Sequence, residues 1–179
     1  VKKLRALAAL PLFTAACCAP VPEPAPTPTP VQVSAPAPTP PPIVNEPTYE
    51  NWADAPQTVG DWSYQDGTGL SYATFSQPGQ PARFGIECQK STRIIRLVRG
   101  TSAAAPSPMR IRTETAERLL TASPDSSGRP MLISSIPARD NLLDAIALSR
   151  GRFAVETGGL ETLYLPSWPE ISRVIEDCR

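Results

Sequence analysis

Histidine is absent from all 179 residues. That removes the commonest general base near neutral pH and the commonest transition-metal ligand. A Ser-His-Asp triad is excluded, and no G-x-S-x-G segment occurs. Lysine is almost absent as well. Beyond the first sixteen residues only Lys90 occurs, so a Ser-Lys dyad has one candidate, Lys90 beside Ser91, which reads more simply as a solvated loop. Cysteine is limited to Cys17, Cys18, Cys88 and Cys178, and no Cys/His cluster is present to hold zinc. Gly67-Thr68-Gly69 lacks the third glycine of a dinucleotide fingerprint and reads as a hairpin turn. Carboxylate pairs such as Asp140 with Asp144, or Glu176 with Asp177, could in principle serve a glycosidase. Asp140 is better placed as a helix cap, and the others as solvated or terminal groups. No cofactor, metal site or catalytic residue is expected.

Excess charge of either sign is also missing. Seventeen basic residues face seventeen acidic ones, and from Thr58 onward the balance is fourteen to thirteen. A nearly neutral domain lacks the basic face that releases counterions from nucleic acid, so no nucleic-acid partner is expected.

Proline, by contrast, is abundant. Of 23 prolines, twelve lie between Pro20 and Pro47. Proline fixes φ and removes a donor, so this stretch favours extended polyproline II and cannot build a core. The foldable part is therefore 49–179, large enough to bury a core of its own. At ~3.1 Å per residue the tract reaches roughly 90 Å at most. It reads as a semi-rigid tether, with a PxxP ligand as the alternative.

Ahead of the tract, Lys2, Lys3 and Arg5 precede a short apolar run, too short to span a bilayer, as in an export signal. The segment Phe13-Thr14-Ala15-Ala16-Cys17 then resembles the lipobox of bacterial lipoproteins. The resemblance implies a signal peptide at 1–16, removal before Cys17 and lipidation of that residue, with 17–48 as the tether. Several acyl chains anchor far more firmly than one. Ordinary secretion is the competing reading, hindered by Pro20 and the paired cysteines. Residue 18 is not Asp, which in lipoproteins of this kind favours the outer membrane. The implied location is the periplasmic face of that membrane in a Gram-negative bacterium, so the membrane is itself a partner.

The first half of the domain predicts short strands separated by turn signals: 61–64, 70–75, 83–89, 94–99, 109–113, 119–122 and 131–136. In 70–75, Leu70, Tyr72 and Thr74 share a face. In 83–89, Phe84, Ile86 and Cys88 point inward. Period then switches. Asp140 caps a helix whose stripe is Leu142, Leu143, Ile146 and Ala147, with Gly151 at its C′ position. Arg152 opens a strand, Gly158-Gly159 turns the chain, and 160–165 pairs back. Ser167-Trp168-Pro169-Glu170 reads as a capping box. Ile171, Val174, Ile175 and Cys178 fall at i, i+3, i+4 and i+7, one buried stripe. Cys88 and Cys178 thus both face inward, and export favours a disulfide between them. The expected fold is α+β: a small antiparallel β-sandwich or bent sheet, two short helices near the C-terminus, and one disulfide.

The segment 140–179, with Ser149-Arg150-Gly151-Arg152-Phe153 and Pro166-Ser167-Trp168-Pro169-Glu170, resembles a group of uncharacterised Gram-negative lipoproteins. More distantly, 82–178 is similar to periplasmic proteins of the invasion-associated locus B type and to a type VI secretion accessory family. The resemblance bears on fold and compartment and carries over no catalytic residue.

Thirteen arginines follow the signal segment. Arg96, Arg99, Arg110, Arg112, Arg150 and Arg152 are candidates for a binding face, since guanidinium grips carboxylate and phosphate through two donors at once. Such a face suits an envelope protein or an anionic glycan or lipid. The bland alternative is surface pairing with Glu87, Glu114, Glu117 and Glu156. The leading expectation is a lipid-anchored, non-catalytic interaction module for an envelope component. A spacer lipoprotein without a ligand comes second, and a hydrolase acting on an envelope polymer third.

Overall fold

The computed structural model describes Tyr49 and residues 51–179. The expected signal segment 1–16, Cys17 and the expected tether to residue 48 lie outside the described residues.

Alternating burial builds nine strands: β1 Asp61–Asp66, β2 Leu70–Ser76, β3 Phe84–Gln89, β4 Ile94–Gly100, β5 Ser107–Arg112, β6 Glu117–Pro124, β7 Met131–Pro137, β8 Arg152–Thr157 and β9 Leu163–Pro166. Helices α1 (Asn141–Ala147) and α2 (Pro169–Asp177) flank the last two strands in sequence. All nine strands form one antiparallel sheet in the order β1-β2-β3-β4-β7-β6-β5-β8-β9. The chain thus runs as a meander to β4, crosses to β5, returns through β6 to β7 beside β4, and resumes at β8. Of the two expected sheet forms, the bent sheet is the one adopted.

The bend has two identifiable causes. First, β6 serves both halves: residues 117–122 pair with β5, and only Ser123 and Pro124 pair with β7. Beyond that short contact the Arg118 guanidinium on β6 reaches Asp140 at the start of α1, at 2.6 and 2.7 Å. Second, the two edge strands meet. The Trp62 indole N–H on β1 donates to the Pro166 carbonyl on β9 at 2.9 Å. Just before β1, the Thr58 amide donates to the Tyr164 carbonyl at 2.9 Å, and its hydroxyl accepts from the Tyr164 amide at 2.8 Å. Gly60 (φ +144°) makes the turn into β1, where a Cβ would lie 2.8 Å from the Phe75 ring.

Curling gives the strands a common inner side. Phe75, Phe84, Ile86, Leu97, Ile111 and Phe153 are buried there in one cluster with the helix residues Leu143, Ile146, Ile171 and Val174. Trp62 meets Phe75 edge-on at 5.4 Å, and Phe84 meets Phe153 at 6.2 Å. Each large apolar side chain so buried contributes about 1.5–3 kcal/mol before entropy is counted. Cys88 bonds to Cys178 with Cα atoms 5.5 Å apart, joining β3 to the end of α2 across 90 residues of sequence.

On β2, Leu70, Tyr72 and Thr74 share a face as expected, and it is the outer one, with Ser71, Ala73 and Phe75 buried. Two local expectations are corrected. The capping box does not form: Trp168 is the N-cap of α2 and makes no side-chain cap bond. Ser167 instead donates to the Ile146 carbonyl at 2.8 Å. That carbonyl lies in the last turn of α1, where it also accepts from the Ser149 amide at 3.4 Å. Gly151 has the left-handed backbone (φ +80°), yet α1 already ends at the C-cap Leu148, so Gly151 turns the chain into β8. Asp140 does cap α1, accepting from the Leu142 amide at 2.8 Å.

Replacing both Cys88 and Cys178 with Ala removes a long-loop cross-link. Unfolding free energy should fall by about 2–4 kcal/mol, read from the denaturant midpoint. An unchanged midpoint would show that the bond adds nothing to the folded state.

Candidate functional site

Strand parity and register decide where the six candidate arginines go. On β4, Ile95, Leu97 and Arg99 point inward and Arg96 outward. Arg96 sits opposite Glu87 in the β3–β4 register and pairs with it at 3.2 Å, with Asp125 3.7 Å away. Arg99 is buried at the end of the sheet where β3 begins, and donates to the carbonyls of Arg83, Gly100 and Glu161. Its guanidinium therefore closes backbone acceptors and offers no outward face. The residues differ by an odd number, so a strand must separate them.

Arg110 and Arg112 share the outer side of β5. Register places Arg112 opposite Glu117 of β6 and Arg110 opposite Glu156 of β8. The four side chains interlace: Arg112 lies 3.2 Å from both carboxylates, and Arg110 lies 3.7 and 3.5 Å from Glu117 and Glu156. Pairs this exposed contribute a few tenths to about 1 kcal/mol each. Their larger effect is to order four charged groups on one surface. Leu119, 62% exposed, stands opposite Arg110 on the same side.

Arg150 and Arg152 flank the turn into β8. Arg150 is 88% exposed and only 3.7 Å from Glu114. Arg152 donates to the Ala55 carbonyl, tying down the segment ahead of β1. With Asn51, Trp52, Thr113 and Glu114 they line a cleft of about 440 Å³. Its wall is fixed by Ser149, whose hydroxyl donates to the Arg152 carbonyl at 2.7 Å and accepts from the Glu114 amide at 3.3 Å. The structure thus unites Arg110 with Arg112 and Arg150 with Arg152. Arg96 and Arg99 stand apart from both pairs and from each other. Glu87, Glu114, Glu117 and Glu156 are the partners of the outward-facing ones.

Several of the remaining titratable groups are engaged structurally. Lys90 pairs with Asp66. Asp144 pairs with Arg179 at 2.6 Å. Asp177 accepts the Tyr64 hydroxyl at 2.7 Å, and that bond, with burial and the carboxylate charge, pushes the phenol up to about 12. The Ser127 hydroxyl and then the Arg129 guanidinium hold Asp125 down at about 2. Burial pushes Asp140 up, but the Leu142 amide and Arg118 outweigh it and leave its carboxyl below the usual range. Among the described residues no cluster of three or more His, Cys, Asp or Glu is disposed to hold a metal, and no helix is long and apolar enough to cross a membrane.

Comparison with family models, curated proteins and solved structures finds no match to this chain.

Asp140 provides a pH test. Its folded pKa is depressed, so its contribution is complete above the ordinary carboxylate range and is lost as pH falls through the folded value. Asp140→Ala should cost about 1 kcal/mol at pH 7 through loss of the cap. The gap in melting temperature from the parent protein should narrow toward pH 2. A constant gap would show that ionisation of Asp140 is irrelevant.

Proposed function

We propose that this chain is a non-catalytic interaction module, held by lipid on Cys17 at the periplasmic face of the outer membrane of a Gram-negative bacterium. It grips a protein component of the envelope with the outer side of β5, β6 and β8. One observation carries this reading: the ordered quartet Arg110, Arg112, Glu117 and Glu156 beside the exposed Leu119. An apolar contact residue bordered by fixed charges of both signs has the composition of a protein interface with a polar rim. The balanced charge favours a protein over an anionic glycan, which would call for cations in excess. The lipobox-like segment and the proline tract support the tethered location, as does the resemblance to Gram-negative lipoproteins. A spacer without a ligand is the second reading, favoured by the internal neutralisation of Arg96 by Glu87 and Asp125.

Two measurements test the two parts. Affinity capture from solubilised envelope should recover one partner with the wild-type chain and lose it with both Arg110→Glu/Arg112→Glu and Leu119→Asp. Undiminished capture by the variants would overturn the assignment of the face. Separately, Cys17→Ser should abolish palmitate labelling and move the protein from the membrane to the soluble fraction. Labelling that survives the substitution would refute the anchor.

A further inference from the structure

Of the arginines singled out from sequence, Arg96, Arg110 and Arg112 are neutralised on the outer side of the sheet. The less compensated ones sit at the end of the sheet where the disulfide lies. Thr92, Arg93, Ala138, Arg139 and Arg179 line a cleft of about 270 Å³ with Cys178 among its other walls. Register explains the gathering. Ile94 opposes Pro137 where β4 and β7 pair, so Arg93 leads into one strand as Arg139 follows the other. The Ala138 amide donates to the Arg93 carbonyl at 2.9 Å, and Arg179 Nε donates to the Ala138 carbonyl at 3.0 Å. Three segments far apart in sequence are thereby fixed around one opening.

No Asp or Glu side chain lines that cleft among the described residues. Arg179 spends one nitrogen on Asp144, at 2.6 Å. Arg93 and Arg139 are exposed and pair with no described carboxylate. Arg93 also has the only positive φ of any non-glycine residue described, +54°. Glycine or asparagine is far more at ease in that conformation. Guanidinium groups lining one small cleft without acids repel one another, and a bound anion relieves that repulsion.

We propose that this cleft binds a phosphate oxyanion. The guanidiniums of Arg93 and Arg139, which pair with no described Asp or Glu, offer a charge of two, which a phosphomonoester of about −1.5 to −2 matches. A carboxylate would leave one charge unanswered. Several oxygens suit donors arriving from the β3–β4 turn, the segment after β7 and the C-terminus of α2, each arginine presenting a planar fork of N–H groups. The inference is independent of the lipid anchor and of the β5–β6–β8 face, and its failure would leave both readings standing.

Calorimetric titration of the full chain with inorganic phosphate, at pH 7.5 and low salt, tests the site. The wild type should bind saturably. Arg93→Gly should weaken binding tenfold or more without lowering the melting temperature, because glycine accepts the left-handed turn. Arg139→Gln should weaken binding similarly, and Arg110→Gln should leave it unchanged. Absence of saturable binding by the wild type, or equal affinity in Arg93→Gly and Arg139→Gln, would overturn the proposal. The source of the phosphate is read by competition in the wild type and Arg93→Gly. Displacement from the wild type by phosphatidic acid vesicles, but not phosphatidylcholine vesicles, identifies a lipid headgroup. Failure of both to displace it identifies a soluble phosphate ester, and either result upholds the site.

Discussion

The Trp62 indole donates across the molecule to the Pro166 carbonyl, between the first and last strands of a sheet whose edges would otherwise be open. An unpaired edge is a row of orphan donors and acceptors and invites pairing with other chains. Here the edges are joined by that indole and by two bonds between Thr58 and Tyr164. Much else depends on this closure. It gives nine strands a shared inner side, so Phe84 of β3 can meet Phe153 of β8. It also fixes the segment ahead of β1 against β8, where Arg152 holds the Ala55 carbonyl.

A curled sheet must still be stopped at its ends. At one end the two helices do so: α1 enters where β6 parts from β7, and α2 lies against β1, β2 and β3 with its last turn bonded to Cys88. Ser167 links the helices through the Ile146 carbonyl. At the other end a buried guanidinium, Arg99, satisfies three backbone carbonyls. With the interior so occupied, the charged groups are displaced to the outside of the sheet and to the crevices at its helix-bearing end. That is where the clefts containing Arg150 and Arg93 are found.

Local pattern was legible in the sequence, and non-local pairing was not. The inward set Phe84, Ile86 and Cys88 and the stripe Ile171, Val174, Ile175 and Cys178 follow from periods of two and 3.6, and both are buried. Together they point to the disulfide between Cys88 and Cys178. Period alone does not say which face of β2 is inner. The buried set is Ser71, Ala73 and Phe75, and Leu70, Tyr72 and Thr74 face outward. The capping box does not form, and the Ser167 hydroxyl bonds instead to the Ile146 carbonyl in the last turn of the preceding helix. Parity could have separated Arg96 from Arg99. Nothing local could have joined Arg93 to Arg139, because β4 and β7 become neighbours only through the crossover that inserts β5 and β6 between them in sequence.

The closure of the sheet is the claim on which the account depends, and the indole N–H of Trp62 reports it directly. Hydrogen exchange followed by NMR resolves the three tryptophan side chains. The account predicts that the Trp62 indole proton exchanges as slowly as the amides of the central strands, while that of the exposed Trp168 exchanges rapidly. A Trp62 indole proton exchanging as fast as that of Trp168 would contradict the account, because the first and last strands would then not be joined.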